Sequence, residues 1–137
     1  MTDRLLLDTS FIQALLNSKD RYHQRAKELL PLVYSAREVW VTEAVLVEVG
    51  NAFSAMNRQA AFQFIQQCYR TPNIRVVTVG TELLEKALEL YGARPDKGWG
   101  LTDCISFVVM DNHNLIAAAT ADIHFVQAGY RALLISK

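Results

Sequence analysis

Four carboxylates in this chain break patterns that their surroundings set up. Asp8 follows the apolar run Leu5-Leu6-Leu7 and precedes Thr9-Ser10. Glu48 interrupts Val45-Leu46-Val47 and Val49. Asp103 lies in Leu101-Thr102-Asp103-Cys104-Ile105-Ser106, and Asp122 in Thr120-Ala121-Asp122-Ile123-His124-Phe125. Singly, three of them have simple structural accounts. Asp8 can cap a helix, Asp103 in a first turn gains about 0.3–1 kcal/mol from the helix dipole, and Asp122 suits a turn. Glu48 is harder to place, because a glutamate among apolar neighbours is seldom buried without a partner. Gly50, two residues on, costs its helix about 1 kcal/mol against Ala, which predicts a close approach there. Glu43, at the start of the same helix, has an ordinary dipole role.

Together the acids pose an electrostatic problem. Two like charges about 4 Å apart repel by about 4 kcal/mol at an effective dielectric of about 20. Carboxylates sharing one cleft must protonate or hold a cation. An oxygen-rich set without cysteine suits Mg²⁺ or Mn²⁺ better than zinc. Cys104 adjoins Asp103, but one helical step turns it toward the core. Divalent ions held this way activate water and steady a leaving oxygen in phosphodiester cleavage. Ser10 and Ser106 stand where hydroxyls could support Asp8 and Asp103; local backbone hydrogen bonds account for them equally. His124 reads as structural, and His23 and His113 as surface residues.

The elements that position these groups follow from hydrophobic pattern. The first strand spans about Arg4–Asp8, apolar enough to be covered on both faces, with a helix over Thr9–Asn17. Asp20 opens a second helix through Leu30 that Pro31 ends or kinks. Glu38–Val41 is a second strand; Thr42 caps a helix through Phe53, and Arg58–Tyr69 is another, with Pro72 as a stop. Ile74–Val79 is a third strand. Thr81–Tyr91 is an amphipathic helix with Gly92 as its C-terminal cap. Residues 94–100 form a loop, and Thr102 caps a helix to Asn112. Leu115–Thr120 and Arg131–Ile135 complete the sheet, with a short turn or helix from Asp122 to Gly129 between them. Alternating strands and helices define an α/β fold with a mostly parallel sheet of four to five strands covered on both faces. Right-handed crossovers carry the loops after the strands to one edge, where ligands of such sheets bind.

The first glycine of the chain is Gly50. The turn after the first strand therefore lacks the glycines with which dinucleotide folds and P-loops bring backbone N–H groups to phosphate. Asp8-Thr9-Ser10 also lacks the second acid of an Asp-x-Asp phosphotransferase or the paired acids of a receiver domain. The 137 residues, 51% of them hydrophobic, suit one domain over 1–137 with one well-covered sheet. A formal net charge of zero implies no global attraction to a polyanion, so nucleic acid would have to meet a local patch. Two cysteines form no disulfide framework, and with no signal peptide or membrane-spanning run in view a cytoplasmic location is expected.

The acid-bearing segments, in this order, resemble the PIN-domain ribonucleases, especially the VapC-type toxins of toxin–antitoxin pairs. The matching pieces are Leu7-Asp8-Thr9-Ser10, the helical Glu48, Leu101 to Ser106 and Thr120 to Phe125, and the resemblance spans nearly the whole chain. It implies a three-layer α/β/α sandwich and a Mg²⁺- or Mn²⁺-dependent endoribonuclease. It implies Asp8, Glu48, Asp103 and Asp122 as the catalytic, metal-holding quartet, with Ser10, Ser106 and Thr120 in support. It also implies an RNA substrate, a homodimer and a cognate antitoxin. In the loop before Asp103, Arg94, Lys97 and Trp99 could meet phosphate and a splayed base; the plainer account is a solvated loop with Trp99 as a packed lid, and Asp96 there disfavours phosphate. Two other functions fit the acids: a non-catalytic RNA- or protein-binding module, and a small-molecule phosphohydrolase.

Overall fold

The computed structural model describes residues 2–135. The chain runs β1 (Arg4–Leu7), α1 (Thr9–Leu16), α2 (His23–Ser35), β2 (Glu38–Thr42), α3 (Glu43–Ala52), α4 (Arg58–Arg70), β3 (Ile74–Val77), α5 (Thr81–Ala93), α6 (Leu101–Asn112), β4 (Ala117–Ala119), α7 (Ile123–Gln127) and β5 (Arg131–Ala132). The five strands lie in the order β3-β2-β1-β4-β5, every pair parallel.

The strand period of two sorts the core into two layers. Leu5, Leu7, Val39, Val41, Ala117 and Ala119 face one cluster with Phe11, Val45 and Phe53. Leu6, Trp40 and Ala118 face the other, with Phe107, Met110 and Phe125. Helices α1–α4 cover the first face and α5–α7 the second, giving the expected three-layer sandwich. Cys68 and Cys104 are free and buried in these layers. No helix among the described residues is long and apolar enough to cross a membrane.

The chain steps outward from β1 to β2 and β3, then returns to place β4 on the other side of β1. The order of strands reverses between β1 and β4, which opens a crevice outside their carboxyl ends. Asp8 follows β1 directly, and Thr120 follows β4.

Several expected boundaries differ. Helix α2 continues through Pro31 to Ser35; Val33 is buried and Leu29, Leu30 and Leu32 pack on the core, so tertiary packing outweighs the lost backbone bond. Asp20 makes a turn before that helix, accepting the Tyr22 N–H at 2.8 Å. Helix α5 passes Gly92 and ends at Ala93. Gly100, rather than Thr102, caps α6. Strand β5 is only Arg131–Ala132, with Leu133–Ile135 in a turn. The Thr42 cap is as expected, its hydroxyl accepting the Val45 N–H at 3.2 Å.

Candidate active site

The Asp8 carboxylate is almost fully buried, 3% exposed, at the end of the central strand. Its position is fixed by one hydroxyl from the first turn of α1 and one from the residue that follows β4. Thr120 Oγ1 donates to Oδ2 at 2.7 Å and Ser10 Oγ at 2.9 Å. Each hydroxyl in turn accepts a backbone N–H: Asp122 N–H reaches Thr120 Oγ1 at 3.0 Å, and Ala121 N–H reaches Ser10 Oγ at 2.9 Å. Ser10 Oγ and Thr120 Oγ1 also lie 3.0 Å from each other, so the two hydroxyls and their backbone donors form one network around Asp8 Oδ2. The Ser10 N–H, at 3.4 Å from Oδ2, makes Asp8 the N-cap of α1 as well. Among the described residues no hydrogen bond reaches Oδ1, which is left to the cleft. Burial pushes the Asp8 pKa up to about 6, Thr120 and Ser10 oppose the rise, and the Asp103 charge adds to it.

A second group forms where α6 and α7 begin. Asp103 Oδ2 accepts the Gly100 N–H at 3.1 Å, so the helix cap also aims the carboxylate. His124 Nδ1 lies 3.0 Å from the same oxygen and 3.3 Å from Asp122 Oδ1. Asp122 caps α7, accepting the His124 N–H at 2.9 Å. Burial is the main cause that raises the Asp103 pKa, with the Asp122 charge adding and the His124 bond opposing. Asp103, Asp122 and His124 offer one donor atom each within 4.8 Å of one another. Asp122 joins the two halves of the site, because it also lines a cleft of about 470 Å³ with Asp8, Thr9, Ser10, Gln13, Glu48 and Asn51.

The donor set fits a divalent cation. It combines carboxylate oxygens, one imidazole nitrogen and a free oxygen of Asp8, and burial raises the pKa values of Asp8 and Asp103. Such a site carries more negative charge than its surroundings relieve.

Other expected site residues fall elsewhere. Glu48 lines the cleft but is exposed; it sits on the rim rather than buried among the valines. Val45, Leu46 and Val49 point inward while Val47 and Glu48 face solvent. Gly50 has no close approach, since an added Cβ would meet only Ile65 Cδ1 at 3.8 Å. Ser106 is fully buried, and its hydroxyl has no partner within the described residues; it is not brought to Asp103. Trp99 is 7% exposed and donates to Gln127 Oε1 at 3.0 Å, so it packs as a lid against Phe107. Arg94 pairs with Asp96 at 3.0 Å and lies over the Trp99 ring, which gives Asp96 a role in holding the loop. Lys97 is half-buried in that loop. The larger groove there, about 610 Å³ between α5, α6 and α7, carries none of the four acids. His113 is exposed and stacks on Trp40, whereas His23 is partly buried against the Ala14 carbonyl at 2.8 Å.

Two features escaped sequence reasoning. One is His124, whose helical turn folds back onto an acid 21 residues earlier. The other is Arg21, which with Gln13 and Tyr22 lines a depression of about 400 Å³ that shares Ser10, Gln13 and Asp122 with the acidic cleft. Asp20 before Arg21 gave only a helix-start signal.

A parallel sheet with acids gathered at its switch point defines a class of α/β proteins whose site can hold a divalent cation. Within it, the sequence matches the PIN domain over residues 5–129, and the chain belongs to the PIN-domain family. Among solved structures it is similar to VapC20 of Mycobacterium tuberculosis, a toxin that cleaves the sarcin–ricin loop. The two share 27% identity with a TM-score of 0.83, over 92% of this chain and 95% of that one. No curated protein matches the sequence.

Proposed function

We propose that this protein is a divalent-metal-dependent endoribonuclease that hydrolyses phosphodiester bonds of RNA, acting as the toxin of a toxin–antitoxin pair. The observation that carries the reading is the convergence of Asp8, Asp103 and Asp122 at the crevice between β1 and β4. Family membership and the likeness to an RNA-cleaving toxin support it.

Asp103 and Asp122, with Asp8 across the cleft, would hold Mg²⁺ or Mn²⁺, and Glu48 stands on the rim. A cation there would supply an activated water and neutralise charge developing on phosphorus. The chain's own residues do the rest. Ser10 and Thr120 clamp Asp8 so that Oδ1 faces the cleft. The Gly100 cap fixes Asp103, and the first turn of α7 fixes Asp122. Arg21, exposed beside the cleft, is placed to meet a flanking phosphate. Two depressions sharing three lining residues make an open groove, which suits a polymer better than an enclosed small phosphate ester.

An antitoxin would place a cationic side chain among the same acids. Leu84, Leu88 and Tyr91 on α5 are exposed at helical spacing, which supports the homodimer. A cytoplasmic location follows from an RNA target.

The test is cleavage of total RNA, and of an RNA carrying the sarcin–ricin loop, with and without Mg²⁺ or Mn²⁺. Cleavage that needs the ion and is lost in Asp8→Asn and Asp103→Asn supports the assignment; ion-dependent cleavage retained by both variants ends it. Ion binding with no turnover on any RNA would identify a non-catalytic module.

A further inference from the structure

We propose that His124 is a nitrogen ligand of the cation held by Asp103 and Asp122, and that it makes the site select Mn²⁺ over Mg²⁺. The proposal rests on the metal-dependent reading above and deepens it.

His124 Nδ1 approaches two carboxylates from different elements, at 3.0 Å to Asp103 Oδ2 and 3.3 Å to Asp122 Oδ1. Ligands about 2.1 Å from an ion and at right angles to each other are about 3.0 Å apart. The imidazole nitrogen is therefore spaced from each carboxylate oxygen like a neighbouring corner of one coordination shell, with all three donors within 4.8 Å of one another. Exchanging the imidazole proton for a cation calls for little rearrangement.

The ring has no competing structural task that would turn Nδ1 away. The His124 backbone, not its ring, holds α7 in place, donating to Asp122 and accepting from Ala128 at 3.0 Å. The far ring nitrogen faces Gly98, where even an added Cβ would stand 3.8 Å away, so the ring fits in coordinating orientation. Asp103, Asp122 and His124 are all only partly buried, which leaves a path for the ion and its waters.

The nitrogen sets the preference. Mg²⁺ holds to oxygen ligands and keeps its waters, whereas imidazole favours first-row transition ions. A pure carboxylate cleft discriminates weakly between Mg²⁺ and Mn²⁺; one nitrogen in the shell breaks that balance.

The test uses tag-free full-length protein. Mn²⁺ and Mg²⁺ are titrated by calorimetry into wild type, His124→Ala, His124→Asp and Asp103→Asn. Pulsed electron paramagnetic resonance on the Mn²⁺-bound samples then reads nitrogen coupling, which needs no activity. Wild type should show ¹⁴N coupling and bind Mn²⁺ at least about tenfold tighter than Mg²⁺. His124→Ala should lose the coupling and about tenfold or more of Mn²⁺ affinity, with little change for Mg²⁺. His124→Asp should recover affinity for both ions without the coupling. Absence of ¹⁴N coupling in Mn²⁺-bound wild type overturns the proposal, whatever the variants do, and so does an equal loss of both ions in His124→Ala. If Mn²⁺ binding depends on Asp103 but shows no nitrogen, only the role of His124 fails. If wild type binds neither ion, the metal-dependent reading fails with it.

Discussion

Asp8→Asn should make the ion-free protein more stable while abolishing its function. The carboxylate is 3% exposed, and burial lifts its pKa from 3.8 to about 6 despite the Thr120 and Ser10 hydroxyls. A tenfold change in proton affinity is about 1.4 kcal/mol, so ionising Asp8 inside the fold costs about 3 kcal/mol. The sign follows from proton counting. Between pH 3.8 and about 6 the folded protein holds a proton that the unfolded chain has released. The stability carried by that proton is fully present below pH 3.8 and is lost as pH rises through about 6. An asparagine keeps a carbonyl oxygen for both hydroxyls and never ionises. Urea denaturation in chelator should therefore give nearly equal stabilities at pH 4, and Asp8→Asn more stable by about 3 kcal/mol at pH 7.5. Adding Mn²⁺ should stabilise wild type by mass action and the variant much less. Equal stability of the two proteins in chelator at pH 7.5, or a less stable variant, would refute the claim that an uncompensated buried charge marks this site.

Other parts of the structure give further expectations. Thr120→Val removes the 2.7 Å donor to Asp8, so the pH at which ion-free stability falls should move above about 6, and about 1.5–3 kcal/mol should be lost at neutral pH; an unmoved pH midpoint contradicts this role. Gly50→Ala places a methyl near Ile65 at 3.8 Å and should stabilise α3 by up to about 1 kcal/mol, read by thermal melting. Trp99→Phe loses the bond to Gln127 and should cost about 1 kcal/mol while leaving RNA cleavage intact. A large loss of cleavage with unchanged stability would instead put Trp99 in contact with substrate.

Much of this architecture is written in local pattern. Leu5-Leu6-Leu7 is apolar on both strand faces, which a sheet covered on one side does not require, and Asp8 sits at its end where such sheets bind ligands. The Thr42 cap and the starts of β2 and β3 were equally plain. What local pattern could not carry was the competition between neighbours. Pro31 breaks a helix in isolation, but the leucines around it pack on the core and the helix continues. Val47 is as apolar as Val45 and Val49, so the exposed face of α3 was disguised and Glu48 looked buried. Gly100 takes the cap of α6 because the Asp103 carboxylate reaches back to accept its N–H, a contact that nothing at Thr102 foretells. His124 joins the acids only because α7 is one short turn pinned by Asp122. Its two ring contacts come from chain segments that meet at the crevice, and spacing alone does not reveal such meetings. The same limit applies to Arg21, whose nearness to the cleft depends on how the loop before α2 lies against Ser10 and Asp122.

The central claim is that the acids converging at the carboxyl ends of β1 and β4 form a cation-dependent RNA-cleaving site. Its most direct measurement is the cleavage rate of one end-labelled RNA by chelator-treated protein as Mn²⁺ or Mg²⁺ is restored, with Asp103→Asn in parallel. The account predicts no cleavage without the ion, specific internal cuts once it is restored, and loss of those cuts in Asp103→Asn although the variant stays folded. Undiminished cleavage in chelator, or ion-dependent cleavage at the wild-type rate by Asp103→Asn, would contradict it.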